Sequence, residues 1–160
     1  MSLEDDVAAG LLALNATRQE PLSLDAEGAC EITLRIPPTV VKLSGEKLVI
    51  RLEVAKTGRS LTLRAPIAST ARELPVEVLD AMVSDQLTAA RVGGASYTYE
   101  PEIGVIFAVY HWIVPSITPE QLGELIRAFS GAAFRALERM GTIARRVPGI
   151  TTINDAEIKR

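Results

Sequence analysis

Apolar residues recur along this chain with two different periods, and the period of each segment predicts a helix or a strand. Spacings of three and four residues indicate an amphipathic helix, whereas alternation indicates a half-buried strand. Residues 3–18, 75–92 and 118–146 have the helical period, and strand-like segments lie between them. The pattern predicts the order helix, three strands, helix, two strands, helix.

The strand-like segments come in consecutive blocks and do not alternate singly with helices. In the first three strands an apolar residue is followed by a polar one, and residues 56–59, Lys-Thr-Gly-Arg, have the composition of a hairpin turn. Consecutive strands joined by short turns favour antiparallel pairing. We therefore expect an α+β domain in which a five-stranded antiparallel sheet packs against helices.

The fifth strand, residues 104–114, is apolar or amphipathic at both alternating sets of positions. A half-solvated strand would alternate with polar residues, so this strand is predicted to be covered on both faces. We assign one set of side chains to the helix-covered core, namely Val105, Phe107, Val109 and Ile113. The other set then lies on the opposite face, namely Ile106, Ala108, Tyr110, Trp112 and Val114.

The second set includes two aromatic residues that combine a large apolar area with a polar group, which favours interfaces. We therefore predict a dimer or partner interface at Ile106, Tyr110, Trp112 and Val114. The alternative is that the chain covers this face itself, with its first helix or with residues 39–43.

The last helix begins with a clear signal. Thr118 can cap it, Pro119 suits the first helical position, and Gln121 lies where a capping box requires it. Pro148 and Gly149 end the helix. Residues 148–160 contain few apolar groups to offset the entropy of ordering them, so we expect a domain over residues 1–147 and a loosely attached tail over 148–160.

A chain of 160 residues suits a single domain. The single Cys30 points towards a reducing compartment, and neither a basic N-terminal signal nor a long apolar span is present. We expect a cytoplasmic protein that is not bound to a membrane. The net charge of −3 argues against general affinity for nucleic acid. Five arginines nevertheless gather towards the C-terminal end, namely Arg127, Arg135, Arg139, Arg145 and Arg146.

No recognisable reactive constellation is present in the sequence. His111 is the only histidine and lies in an apolar strand, and together with Cys30 it supplies too few ligands for a closed zinc site. Residues 44–47 and 93–94 contain glycine but lack the spacing of phosphate-binding loops. We therefore predict no catalytic residue, no metal site and no cofactor.

Two motifs carry a family resemblance. Residues 99–104, Tyr-Glu-Pro-Glu-Ile-Gly, lead into the apolar fifth strand, and residues 118–122, Thr-Pro-Glu-Gln-Leu, begin the last helix. With the element order, these motifs resemble the YbjN family, whose fold is similar to that of the type III secretion chaperones. The resemblance implies a small homodimeric protein without enzymatic activity that holds or senses other polypeptides.

Three hypotheses about function remain open. The first is a homodimeric protein-binding module, chaperone-like or regulatory, that holds a client polypeptide through an apolar sheet face or edge. The second is a small-molecule or anion-binding protein, or an enzyme, with a pocket between sheet and helices that uses Arg35, Arg51 or Arg64. The third is nucleic-acid binding through the C-terminal arginines.

Overall fold

The computed structural model describes residues 2–15, 21–35, 47–71, 73–92 and 95–152, and only the backbone of residues 86–92. The elements are α1 (Leu3–Asn15), β1 (Ala29–Arg35), β2 (Lys47–Val54), β3 (Ser60–Thr70), α2 (Val76–Val92), β4 (Ser96–Glu100), β5 (Val105–Ile113), α3 (Pro119–Ala144) and β6 (Ile150–Thr152). The predicted order is confirmed, and one short strand follows it. Residues 16–18 and 39–46, which also entered the sequence predictions, lie outside the described residues.

The strands form one antiparallel sheet in the order β1-β2-β3-β5-β4. The predicted α+β class is confirmed. The β2–β3 hairpin turn is also confirmed: the Ala55 N–H donates to the Ser60 carbonyl at 2.9 Å, and Gly58 has a φ of 67°. That positive φ suits glycine, which lacks the Cβ that would clash there.

Strand β6 was not predicted. It pairs with the second half of β3, on the side where β2 pairs with the first half, and it buries Ile150 and Thr152. The expectation of loose attachment is therefore wrong for residues 150–152, because one large apolar side chain and a set of ladder hydrogen bonds hold them. Residues 153–160 lie outside the described part of the chain, and the division at residue 147 stays a prediction.

The described helices cover one face of the sheet. Alternate residues of β2 and β3, such as Ile50, Leu52 and Leu63, share a buried cluster with α1, α2 and α3. Helix α1 packs on α3 so closely that Gly10 lies against Leu122. The opposite face carries the polar residues of the alternating strands, and we call it the open face.

The start of α3 has the predicted capping box. The Gln121 N–H donates to Thr118 Oγ1 at 3.2 Å, and the Thr118 N–H donates to Gln121 Oε1 at 3.0 Å. Just before it, the Ile117 N–H donates to Asp6 Oδ2 at 3.1 Å. This bond ties the first turn of α1 to the start of α3, so the first and last helices are fixed to each other.

Candidate protein-binding surfaces

The four residues predicted to form an interface lie in different environments. Ile106 is fully buried in the main core. Tyr110 is half-buried, with its ring edge-to-face against Phe129 of α3 at 6.4 Å between centroids. Trp112 packs edge-to-face on Tyr110 at 6.5 Å and is 42% exposed. Val114 is half-buried against the main core. Trp112 is therefore the member of this set with substantial surface to offer.

The assignment of the two faces of β5 must be corrected. Trp112 lies opposite Leu61 and Tyr110 opposite Leu63, and directly opposed residues point to the same face. Because both leucines are buried under the helices, the set that includes Ile106 and Tyr110 faces the helices. Both sets of positions in β5 are apolar, so alternation alone could not distinguish the two faces.

The predicted double burial of β5 holds for its first half only. Residues 105–108 are all buried, whereas His111, Trp112 and Ile113 are exposed. On the open face, Val105 and Phe107 form a small second cluster with Val109. The strand therefore runs from a region covered on both sides to an end that is exposed to solvent.

The guanidinium of Arg64 lies over the Phe107 ring, 4.9 Å from its centroid, and its Nη1 donates to Glu100 Oε1 at 3.1 Å. Arg51 lies directly opposite Arg64 and is within 4 Å of three carboxylates, those of Glu27, Glu31 and Glu53. These arginines thus have partners of their own on the open face.

That arrangement bears on the anion-pocket hypothesis. Arg35, Arg51 and Arg64 do share one sheet face, as predicted, but it is the face away from the helices. None of the three therefore lines a pocket between the sheet and the described helices. The hypothesis loses the site on which it depended.

Helix α2 carries an apolar stripe that points away from the core. Val76, Leu79 and Val83 recur at helical spacing, and the last two are 47% and 52% exposed. The side of α2 that is buried consists of smaller or more flexible residues, namely Val78, Ala81 and Met82. The helical period was predicted correctly, but the sequence could not indicate that this stripe, which we call the α2 stripe, lacks cover from the described part of the chain.

A polar contact fixes α2 to its neighbours. The Tyr97 hydroxyl donates to Asp85 Oδ2 at 3.2 Å, and Arg139 Nε lies 3.6 Å from the same oxygen. Burial, followed by the nearby Asp85 carboxylate, raises the pKa of Tyr97 well above its ordinary value. Asp85 therefore links α2 to β4 and α3, and it holds the α2 stripe outward.

The sheet has an open edge beside Trp112. Strand β4 pairs with residues 105–109 of β5, and its first residue, Ser96, is opposite Val109. Within the described part of the chain, no strand pairs with residues 111–113 on that side. Backbone groups that point outward from an edge strand can pair with an added strand.

Candidate reactive groups are dispersed. His111 is exposed on the open face, where its Nδ1 lies 2.9 Å from Thr62 Oγ1. Among the described residues, no group of three or more His, Cys, Asp or Glu could hold a metal ion. Of the C-terminal arginines, Arg139 is paired with Asp85. No described helix has the length and hydrophobicity needed to cross a membrane.

Comparison with solved structures finds this arrangement of helices and strands in secretion chaperone complexes. A chain in the structure of the HopA1–SchA chaperone–effector complex has a TM-score of 0.61 at 12% identity, with 84% of this chain and 95% of that chain covered. A chain in the crystal structure of the ExsC–ExsE complex has a TM-score of 0.63 at 15% identity, covering 88% and 97%. A chain in the heterodimeric ExoU–SpcU complex from the type III secretion system of Pseudomonas aeruginosa has a TM-score of 0.50 at 11% identity, with 82% of this chain and 94% of that chain covered.

The fold is type III secretion chaperone-like. At these identities the likeness concerns the fold alone, because one fold can carry unrelated functions. No model of a known protein family matches the chain, and no curated protein matches it. The chaperone-like fold thus confirms the predicted architecture, and the resemblance to the YbjN family stays a prediction.

Proposed function

We propose that this protein is a homodimeric, non-enzymatic module that binds and holds another polypeptide. The observation that carries the proposal is the α2 stripe, an apolar helix face exposed on a domain whose fold also occurs in chaperone–effector complexes. An apolar stripe at helical spacing is a surface suited to a partner helix. The proposal extends to the cytoplasm as the compartment and to kinship with the YbjN family.

In the proposed dimer, the α2 stripes of two subunits face each other. Leu79 and Val83 are each about half exposed, so their burial in a dimer contributes about 1 kcal/mol apiece. In a two-fold dimer both subunits use the same patch, so each of these residues is buried twice, once in each subunit. Four such side chains would therefore supply about 4 kcal/mol, a large share of the free energy of association.

Light scattering coupled to gel filtration tests the dimer. The wild type should have the mass of two chains at micromolar concentration, whereas Leu79→Ser/Val83→Ser should dissociate, with Kd raised by at least about 100-fold. Ile103→Ser is the control, because Ile103 is also an exposed apolar residue, at 60%, but lies in the β4–β5 turn. A monomeric wild type, or equal dissociation of the control, would contradict this part of the proposal.

The client is proposed to add an extended segment to the open edge at residues 111–113. Main-chain hydrogen bonds would supply affinity, while Trp112 and Ile113 would contact the client's side chains. Tyr110 has a positioning role here, since it supports the Trp112 ring from below and itself rests on Phe129. Ile106 has no part in this surface because it is fully buried.

Trp112 is the only tryptophan in the chain, so its fluorescence reports on its own surroundings. A client captured from the native cell and then purified should shift the emission of Trp112 to shorter wavelength as it excludes water. Trp112→Ala should weaken binding by about tenfold or more, because the indole is a large apolar contact. An unshifted spectrum with full binding would refute this location, and Ile103→Ser should bind like the wild type.

A further inference from the structure

A groove beside α1 has walls of two kinds. One wall is the outer side of the helix, with Ala8 and Leu12, and the other is the segment before β1, with Leu22 and Leu24. We call it the α1 groove; it is open to solvent and has a volume of about 500 Å³. Leu12 is 72% exposed, although Leu11 beside it is fully buried. Leu22 is buried in the main core and Leu24 is half-buried against it, so Leu12 is the exposed leucine of the groove.

The Asn15 side chain helps to hold the α1 groove in shape. Asn15 Nδ2 donates to the Leu22 carbonyl at 2.9 Å, and the Leu22 N–H donates to Asn15 Oδ1 at 2.6 Å. This pair of bonds ties the segment before β1 to the end of α1. A groove that is already formed costs little entropy when a ligand occupies it.

Carboxylate side chains lie beside the leucines of the α1 groove. Glu4, Asp5 and Asp25 line the groove, and no lysine or arginine is among its described lining residues. The backbone N–H groups of Ala29 and Glu27 hold the pKa of Asp25 below its usual value, and the backbone N–H and hydroxyl of Ser2 do the same for Asp5. Asp25 Oδ1 accepts both backbone bonds, so the carboxylate is fixed in place.

These features restrict the occupant. Carboxylates repel phosphate, which disfavours nucleic acids and anionic lipid surfaces. The described residues offer no cluster that could hold a metal ion. A segment with an apolar side chain next to cationic ones would match both the leucines and the carboxylates that line the groove.

We propose that the α1 groove binds a polypeptide segment in which an apolar side chain is flanked by lysine or arginine. The apolar side chain packs on Leu12 and Leu24, and the cations pair with Glu4 and Asp25. The inference rests on the proposed function, because it specifies the chemistry of one segment of the bound polypeptide. It adds a contact region separate from the open edge at Trp112.

Fluorescence anisotropy with two labelled peptides tests the groove. One peptide alternates leucine with lysine, and the other alternates leucine with glutamate at the same length. The lysine peptide should bind more tightly and lose affinity as salt increases, since surface ion pairs are screened. Equal binding of the glutamate peptide would overturn the proposal.

Two variants locate the site. Glu4→Gln/Asp25→Asn should weaken binding of the lysine peptide about threefold to tenfold, and the amide oxygen of the introduced asparagine would still accept the bonds from the backbone. Leu12→Ser should weaken it about tenfold through lost apolar contact. The matched control, Glu102→Gln/Glu138→Gln, removes the same charge from exposed positions outside the groove and should bind like the wild type.

If the control variant binds the lysine peptide as weakly as Glu4→Gln/Asp25→Asn does, the effect is one of net charge and the proposal is overturned. Unchanged binding of this peptide by Leu12→Ser would also overturn it. A lower molecular mass of Leu12→Ser in light scattering would assign the groove to a second copy of this chain, with the same consequence. The proposed function is tested separately by Trp112→Ala. A client that needs Trp112 but ignores Glu4→Gln/Asp25→Asn would refute the groove and leave the proposed function standing.

Discussion

Gly10→Ala should destabilise the protein, although alanine is the better helix former. Gly10 lies in α1 where that helix packs on α3. A Cβ at this position would be 2.5 Å from Leu122 Cδ2, 3.3 Å from its Cβ and 3.4 Å from its Cγ. Leu122 is fully buried, and its Cβ and Cγ as well as its Cδ2 would be close to the new methyl group, so rotation of one methyl group of Leu122 cannot relieve the overlap.

Two opposing effects set the magnitude. Replacing glycine by alanine in a helix gains about 1 kcal/mol of helix propensity. Inserting a methyl group into a filled core costs about 1–3 kcal/mol, and the short distances to Leu122 place this site at the upper end. We expect a net loss of about 1–2 kcal/mol, which lowers Tm by about 2–8 °C for a chain of this size.

The control is Gly123→Ala in α3. Among the described residues, its Cβ would meet only Leu14 Cδ2, at an ordinary 3.9 Å, so the gain in helix propensity should remain and stabilise the protein by up to about 1 kcal/mol. Urea unfolding followed by circular dichroism, at one fixed protein concentration, measures both variants against the wild type. A Gly10→Ala variant as stable as Gly123→Ala would refute the close packing of α1 on α3.

Three further predictions follow from individual contacts. Thr118→Ala removes the cap of α3 and should cost about 1 kcal/mol in urea unfolding, without changing the fold. Ile150→Ala should cost about 2–4 kcal/mol, whereas a neutral effect would mean that β6 contributes no stability. Burial and Asp85 raise the pKa of Tyr97 above the ordinary tyrosine value of 10.0. Tyr97 therefore contributes to stability below about pH 10, and this contribution is lost as the pH rises further, because the hydroxyl ionises in the unfolded state before it does so in the folded state. Tyr97→Phe should reduce the fall in stability between about pH 9 and 11, and an unchanged slope would contradict this reasoning.

Much of the local structure could be predicted because local residues cause it. The capping box needs only Thr118, Pro119 and Gln121, which are neighbours in the chain. The β2–β3 hairpin needs a glycine at a positive φ, and Gly58 provides it. The periods of apolar residues likewise distinguish helix from strand within a window of a few turns.

The candidate surfaces could be predicted less well. The aromatic side chains predict an interface at Trp112, which has exposed surface, whereas Ile106 of the same predicted set is fully buried. The α2 stripe was recognised as helical but not as exposed. The α1 groove joins α1 to the segment before β1 through Asn15 and Leu22, and no local pattern indicates that contact.

The amino-acid pattern alone specified where the helices and strands lie and how α3 begins. Contacts between distant segments determined which face of β5 meets the helices, that β6 joins β3, and that the α2 stripe points outward. The reason is physical: the period of apolar residues indicates which face of a helix or strand favours burial, but the segment that covers this face can be distant in the chain. Tyr110 faces the helices because β5 pairs with β3 in the register that places it opposite Leu63, and there its ring packs against Phe129.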